Sequence, residues 1–203
     1  MFWEWFRMGG PIMWPLLATS VVALAVVIER LIFIMWEMDS RDPALVGLIL
    51  SHTESGDVTQ AIQMGKGSKD FVARTLAYGL SHQSHSFSNA LLQAANRELQ
   101  RFSRGLPVLD TIVTLAPLLG LLGTVTGLIR SFGLLGAEEL QAPVAITGGI
   151  AEALIATAFG LSIAIIALIP FNYLNARVEE ARHEMEDAST HLEMLLMEPA
   201  RRQ

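Results

Sequence analysis

The sequence predicts an all-α membrane protein: three transmembrane helices with long cytoplasmic helical extensions. Three observations carry that prediction. Hydrophobic residues make up 52% of the 203, and mean hydropathy is +0.43, too apolar for a water-soluble domain of this length. Three apolar runs each reach the roughly 20 residues that a helix needs to cross a hydrocarbon core. Charged residues, only 17% of the chain, gather between and after those runs. Helix is the reading because three spans cannot close a barrel, and lipid leaves no other way to satisfy the backbone.

Residues 1–15, MFWEWFRMGGPIMWP, lack a basic start, a short apolar core and a small-residue cleavage site, so they do not read as a signal peptide. They are expected to form a short periplasmic or interfacial N-terminus with no periplasmic extension. Trp3, Trp5 and Trp14 there, and Trp36 beyond the first span, are placed as interfacial anchors. The first span, 16–36, is a retained anchor. Near its cytoplasmic end Arg30 is expected to snorkel, and Glu29 to form a boundary pair or reach the loop helices. Spans two and three are expected over 107–135 and 144–174.

Orientation follows from the basic residues. The 37–106 loop holds Arg41, Lys66, Lys69, Arg74, Arg97, Arg101 and Arg104, and the 175–203 tail holds Arg177, Arg182, Arg201 and Arg202. The 136–143 link has Glu138 and Glu139 and no base. Loop and tail are therefore expected in the cytoplasm, and link and N-terminus on the far side.

The loop reads as short polar helices. Asp42-Pro43 opens the first as cap and first-turn proline, and Ser55-Gly56-Asp57 ends it. Asp57 caps a second through Met64, and Gly65–Ser68 breaks the chain again. A third runs near Lys69 to Ser81. A fourth, from Ser86 or Ser88, is expected to continue without interruption into span two. In the tail, Val178, Ala181, Met185, Ala188, Leu192 and Leu195 make a heptad seam. It suits either packing on the chain's own loop helices or a bundle between subunits.

Span two contains APLLGLLGTVTG, Ala116 to Gly127. Gly120, Gly123 and Gly127 recur at helical spacing and read as a helix-packing seam. Pro117 should kink the span. Thr124 and Thr126 either bond back to the backbone or reach a neighbour; the hydroxyl of Thr124 is the candidate for a wet interface. Arg130, near the far end, is expected to meet lipid headgroups. Asp110, near the cytoplasmic end, is a candidate proton exit, with a helix cap or interfacial acid as the plainer reading.

Span three contains GGIAEALIATAFG, Gly148 to Gly160, with one carboxylate, Glu152, and no Lys, Arg or His in the run. An acid facing lipid at a helix centre costs about 2.5–3.5 kcal/mol even on lenient insertion scales. Gly149, Glu152 or Ala153, Ala156 and Gly160 fall along one small-residue face, so Glu152 is expected on or beside a surface that meets another helix or a pore. Desolvation disfavours the charged form of an acid, and Glu152 is read as a proton-exchanging carboxyl without a salt bridge, against the plainer reading of one structural hydrogen bond. Thr157 lies five residues on and does not share a narrow face with it.

Net charge of −6 and pI near 5.3 give no reason to expect nucleic acid. The absence of Cys excludes disulfides and thiolate metal sites. Gly65-Lys66-Gly67-Ser68 lacks the P-loop spacing, His82 and His85 lack a third metal ligand, and no nucleophile–base set points to an enzyme.

With three spans, a large cytoplasmic loop and the Ala116–Gly127 and Gly149–Ala158 stretches, the chain resembles the MotA/TolQ/ExbB proton-channel family, its ExbB/TolQ branch above all. The topology covers almost the whole chain; the sequence match concentrates in spans two and three. The resemblance implies a homopentamer in a Gram-negative inner membrane, its helices bundled around a central pore. An ExbD- or TolR-like single-span dimer, with an intramembrane Asp per chain, would sit inside and pass work to a TonB- or TolA-like protein. By the same carry-over, Glu152, Thr124 and Thr157 are the polar pore positions. No cofactor is expected; protons are the coupling ion, and bound phospholipids are allowed for. A flagellar stator fits less well, because that branch has four spans. A passive membrane scaffold for a partner is the reading from another class. A small-solute transporter would show internal repeats and broken helices, which are absent here.

Overall fold

A computed structural model describes residues 2–133 and 142–201, all of them helical or in short connections. The 136–141 part of the link, with Glu138 and Glu139, lies outside the described residues, as do Arg202 and the side chains of Trp3, His85 and Arg201. The helices are α1 (Phe2–Met8), α2 (Met13–Asp39), α3 (Pro43–Glu54), α4 (Val58–Lys66), α5 (Phe71–Ser81), α6 (Gln83–Ser103), α7 (Leu106–Gly133) and α8 (Ala142–Arg201). Three stretches are long and apolar enough to cross a membrane: α2, α7 and the Thr147–Met197 part of α8.

The chain divides into two compact units. One holds residues 1–29 and 105–173, the other residues 30–104 and 174–203. In the first unit, α7 buries Leu109, Ile112, Ala116, Gly120, Gly123, Gly127 and Ser131, a stripe at steps of three and four. The α8 stripe of Ala153, Ala156, Gly160, Ala164 and Ala167 is likewise buried. The two helices run antiparallel, with the Gly120 backbone against Thr157 and Gly160, and Gly127 against Gly149 and Ala153. Large side chains such as Leu118, Ile129, Leu154 and Ile166 point outward, as suits a lipid-facing surface. The N-terminal segment folds onto this pair. Phe6, Met13 and Leu16 form a buried cluster with Ile12, Leu119, Phe159 and Ile163 packed on it. Trp14 meets Phe6 edge to face at 5.3 Å.

In the second unit, α5 is the most buried element, with Phe71, Val72, Ala73, Leu76, Ala77 and Leu80 inside. Phe102 packs edge to face on both Phe71, at 5.0 Å, and Phe33, at 5.6 Å. The α8 seam joins this core: Val178, Ala181, Met185 and Leu192 are buried, and the Thr75 hydroxyl contacts the Met185 sulfur at 3.5 Å. The seam thus packs on the chain's own helices, one of its two readings.

Three local expectations change. The fourth loop helix does not run into span two. It stops at Ser103, where Arg104 is extended and Gly105 takes φ +84, a left-handed conformation open mainly to glycine. Arg30 does not snorkel. It is 3% exposed, donates to the Arg101 carbonyl at 2.9 Å and lies over the Phe33 ring, so a carbonyl and a π-face replace water. Asp110 is not a cap, since α7 begins at Leu106 and Asp110 stands exposed in its second turn.

Candidate functional site

The site is built where α7 and α8 touch. Small residues let the two backbones approach closely. A Cβ on Gly160 would meet the Ala116 carbonyl at 2.5 Å, and one on Gly127 would meet the Gly149 carbonyl at 2.9 Å. Gly123 faces Ala156 and Ile12, and Gly149 faces the Ser131 hydroxyl. That contact fixes which polar groups of the two helices share a level.

Thr157 stands at the level of Gly120 and donates to its carbonyl at 3.1 Å. This ties α8 to α7 within one chain. Thr124 lies further along α7, partly buried, and donates to the Leu121 carbonyl at 2.6 Å within its own helix. Glu152 is reached near the far end of the pair. Thr157 and Glu152 thus each bond to α7 from α8, and Thr124 falls between their levels along α7.

Glu152 does have a basic partner. Arg130 on α7 donates from Nη1 to Glu152 Oε1 at 3.0 Å. The expectation of a carboxyl without a salt bridge is overturned. The cause is the antiparallel register: Ser131 is buried, donates to the Gly127 carbonyl at 2.9 Å and packs on Gly149, which brings its neighbour Arg130 beside Glu152. The side chains differ in exposure, 19% for Glu152 and 53% for Arg130.

A second element closes on the same carboxylate. Gly10, in the turn between α1 and α2, has φ +72, and a Cβ there would fall on Glu152 Oε1 and 2.6 Å from its Cδ. Only glycine permits both that backbone conformation and that approach. Gly10 and Arg130 are the residues that sequence reasoning missed. Arg130 was within reach of it, through the register implied by the glycine spacing. Gly10 was not, because nothing local shows that the N-terminal turn folds back onto α8.

Elsewhere, His82 Nδ1 lies 2.9 Å from the Tyr78 carbonyl and 3.0 Å from Ser81 Oγ. Among the described residues no group of three His, Asp or Glu side chains is placed to hold a metal.

The described residues therefore define a three-span helical membrane protein whose third span carries one acid, held at a helix–helix contact. Residues 66–187 match the family described as the MotA/TolQ/ExbB proton channel family, and the chain belongs to that family. An ExbB-like biopolymer transport protein of Synechocystis is 36% identical over 95% of this chain and 78% of its own length. A biopolymer transport protein ExbB homologue of Methanothermobacter thermautotrophicus is 28% identical over 90% of this chain and 66% of its own. The Tol-Pal system protein TolQ of Haemophilus influenzae is 40% identical over 44% of this chain and 39% of its own. These relatives favour the ExbB/TolQ branch.

Proposed function

We propose that this chain is the proton-conducting motor subunit of an inner-membrane complex. Five copies surround a pore that holds a single-span ExbD- or TolR-like dimer. The proton motive force acts through that assembly on a TonB- or TolA-like protein. The N-terminus and the 136–143 link lie in the periplasm; the 37–106 loop and the tail lie in the cytoplasm. The observation that carries this reading is Glu152, a carboxylate within an apolar span, mostly enclosed yet paired with a base that is itself half exposed. Such a pair can open without exposing the acid to lipid, which would be expensive.

Moving a proton through about 100 mV supplies about 2.3 kcal/mol. One acid per subunit is too sparse for a water-filled channel and suits a relay completed by a partner's acid. Thr124 and Thr157 flank the route on the cytoplasmic side of Glu152, and Asp110 stands at the exit. Protons are the coupling ion and no cofactor takes part. Phospholipid chains suit the apolar groove of about 450 Å³ lined by Ala18, Val22, Val108 and Ile112.

The test is Glu152→Gln in cells that depend on the complex. Energised function should be lost, while native mass spectrometry of the solubilised complex shows the same subunit count. Survival of function in that variant rejects the proton role. The passive scaffold predicts a silent Glu152→Gln and loss of function only when the partner's span is removed.

A further inference from the structure

Arg130 and Gly10 meet Glu152 from two different elements, and the three groups differ in freedom. Glu152 is held on α8 beside buried Ala153, with Gly10 packed on its carboxylate. The α7 backbone next to Arg130 is fixed by Ser131, which is 1% exposed. The long Arg130 side chain, 53% exposed, can swing away without any backbone moving. Its guanidinium can leave for water or headgroups, as arginine near a helix end readily does. The Glu152 side chain, 19% exposed, is the more enclosed of the two.

We propose that Arg130 is a positioning residue for Glu152, a latch that holds the carboxylate against Gly10 and must release it before Glu152 takes up a proton or meets a partner's acid. The proposal rests on the reading of Glu152 as the proton-carrying group. It adds that the acid is kept occupied until something competes for Arg130, and the natural competitor is another carboxylate. Arginine suits the role because its fork stays charged and offers further donors to a second anion while the first contact breaks.

The test measures how readily Glu152 reacts with dicyclohexylcarbodiimide, an apolar reagent that takes the proton of a protonated carboxyl and is then attacked at its central carbon by the carboxylate oxygen. The full-length chain is labelled in its membrane at neutral pH, and the adduct is located by fragment mass spectrometry, with exposed Asp110 as internal reference. Arg130→Gln should label Glu152 about threefold to tenfold faster than wild type, the range for loss of a partly exposed charge-assisted hydrogen bond. Labelling of Asp110 should not change. The chain has no Cys, so Arg130→Cys is a unique handle. It too should label fast. A cationic ethylammonium thiosulfonate on that cysteine should restore slow labelling, and a neutral thiosulfonate of similar size should not.

Wild-type labelling rates in both Arg130 variants overturn the latch. So do equal rates with the cationic and neutral adducts, which would mean that bulk and not charge matters. These rates do not depend on transport, so they separate failure of the latch from failure of the proton role, which Glu152→Gln tests in cells.

Discussion

Replacing Gly160 by Ala should separate α7 from α8. The added Cβ would sit 2.5 Å from the Ala116 carbonyl oxygen, 3.0 Å from Gly120 Cα and 3.1 Å from Gly120 N. All three are backbone atoms, so no rotamer relieves the clash. Ordinary contact begins near 3.4 Å, so the helices must part by about 0.9 Å at that point. The Thr157 hydroxyl, now 3.1 Å from the Gly120 carbonyl, would then stand about 4 Å away, beyond hydrogen-bonding reach. Losing an interhelical hydrogen bond in a membrane costs about 0.6 kcal/mol, and overpacking a close contact costs about 1–3 kcal/mol. Together they predict a loss of about 1.5–3.5 kcal/mol. Equilibrium unfolding in mixed micelles measures it, with Gly148→Ala as control, since a Cβ on Gly148 meets nothing within 4 Å. If the two variants agree within about 0.5 kcal/mol, the ordinary range for surface substitutions, the close-approach argument is wrong.

The Gly10–Glu152 contact should appear as coupling. Gly10→Ala and Glu152→Ala together should be less destabilising than the sum of the two alone, by about 1 kcal/mol or more; strict additivity in the same unfolding assay refutes the contact. Asp70 is fully buried, accepts from Val72 N at 2.7 Å and Ala73 N at 3.1 Å, and pairs with Arg41. Asp70→Ala unpairs two N–H groups at the start of α5 and removes one of the two carboxylates on Arg41, which keeps Glu184 at 2.7 Å; it should cost about 1–3 kcal/mol, read as an earlier helix melt by circular dichroism. Burial pulls the Arg74 guanidinium down, but its bonds and charge contacts with Glu98, then Glu37, outweigh that and leave it raised above its ordinary value. A raised folded value means stabilisation that is complete below the ordinary arginine range and lost only as pH climbs through the raised one. Arg74→Gln should therefore lower stability by the same amount, about 1 kcal/mol for a partly exposed group, at about pH 6 and about pH 9; a marked difference between the two refutes it.

Local chemistry was legible in the sequence and distant pairing was not. Asp42 and Asp57 cap α3 and α4 through Leu45 N and Gln60 N, because an Asx side chain reaches only the next turn and its neighbours decide the outcome. The α5 start near Lys69 falls at Phe71, since Asp70 takes the cap. The break at Gly105 was missed because residues to either side keep the helical period, and a single left-handed φ leaves no trace in that pattern. Arg30 was assigned to water by its position near a span end; the partner that replaced water, the Arg101 carbonyl, lies 71 residues away. The absence of a base in the run around Glu152 carries no information about the neighbouring span, where Arg130 stands.

The glycine contact between α7 and α8 has a thermodynamic side that depends on the solvent. In water, each glycine in a helix costs about 1 kcal/mol relative to alanine, largely because the unfolded chain is so free there. In a bilayer the separated helices are already helices, since lipid forbids an unpaired backbone. The reference state for assembly is then two intact rods, and glycine's loose coil never enters the comparison. Gly120, Gly123, Gly127, Gly149 and Gly160 can therefore supply closeness nearly free of the entropy that would burden them in a soluble bundle. The same five residues would also leave these two segments among the weakest helices of the chain before insertion, when water is still the solvent.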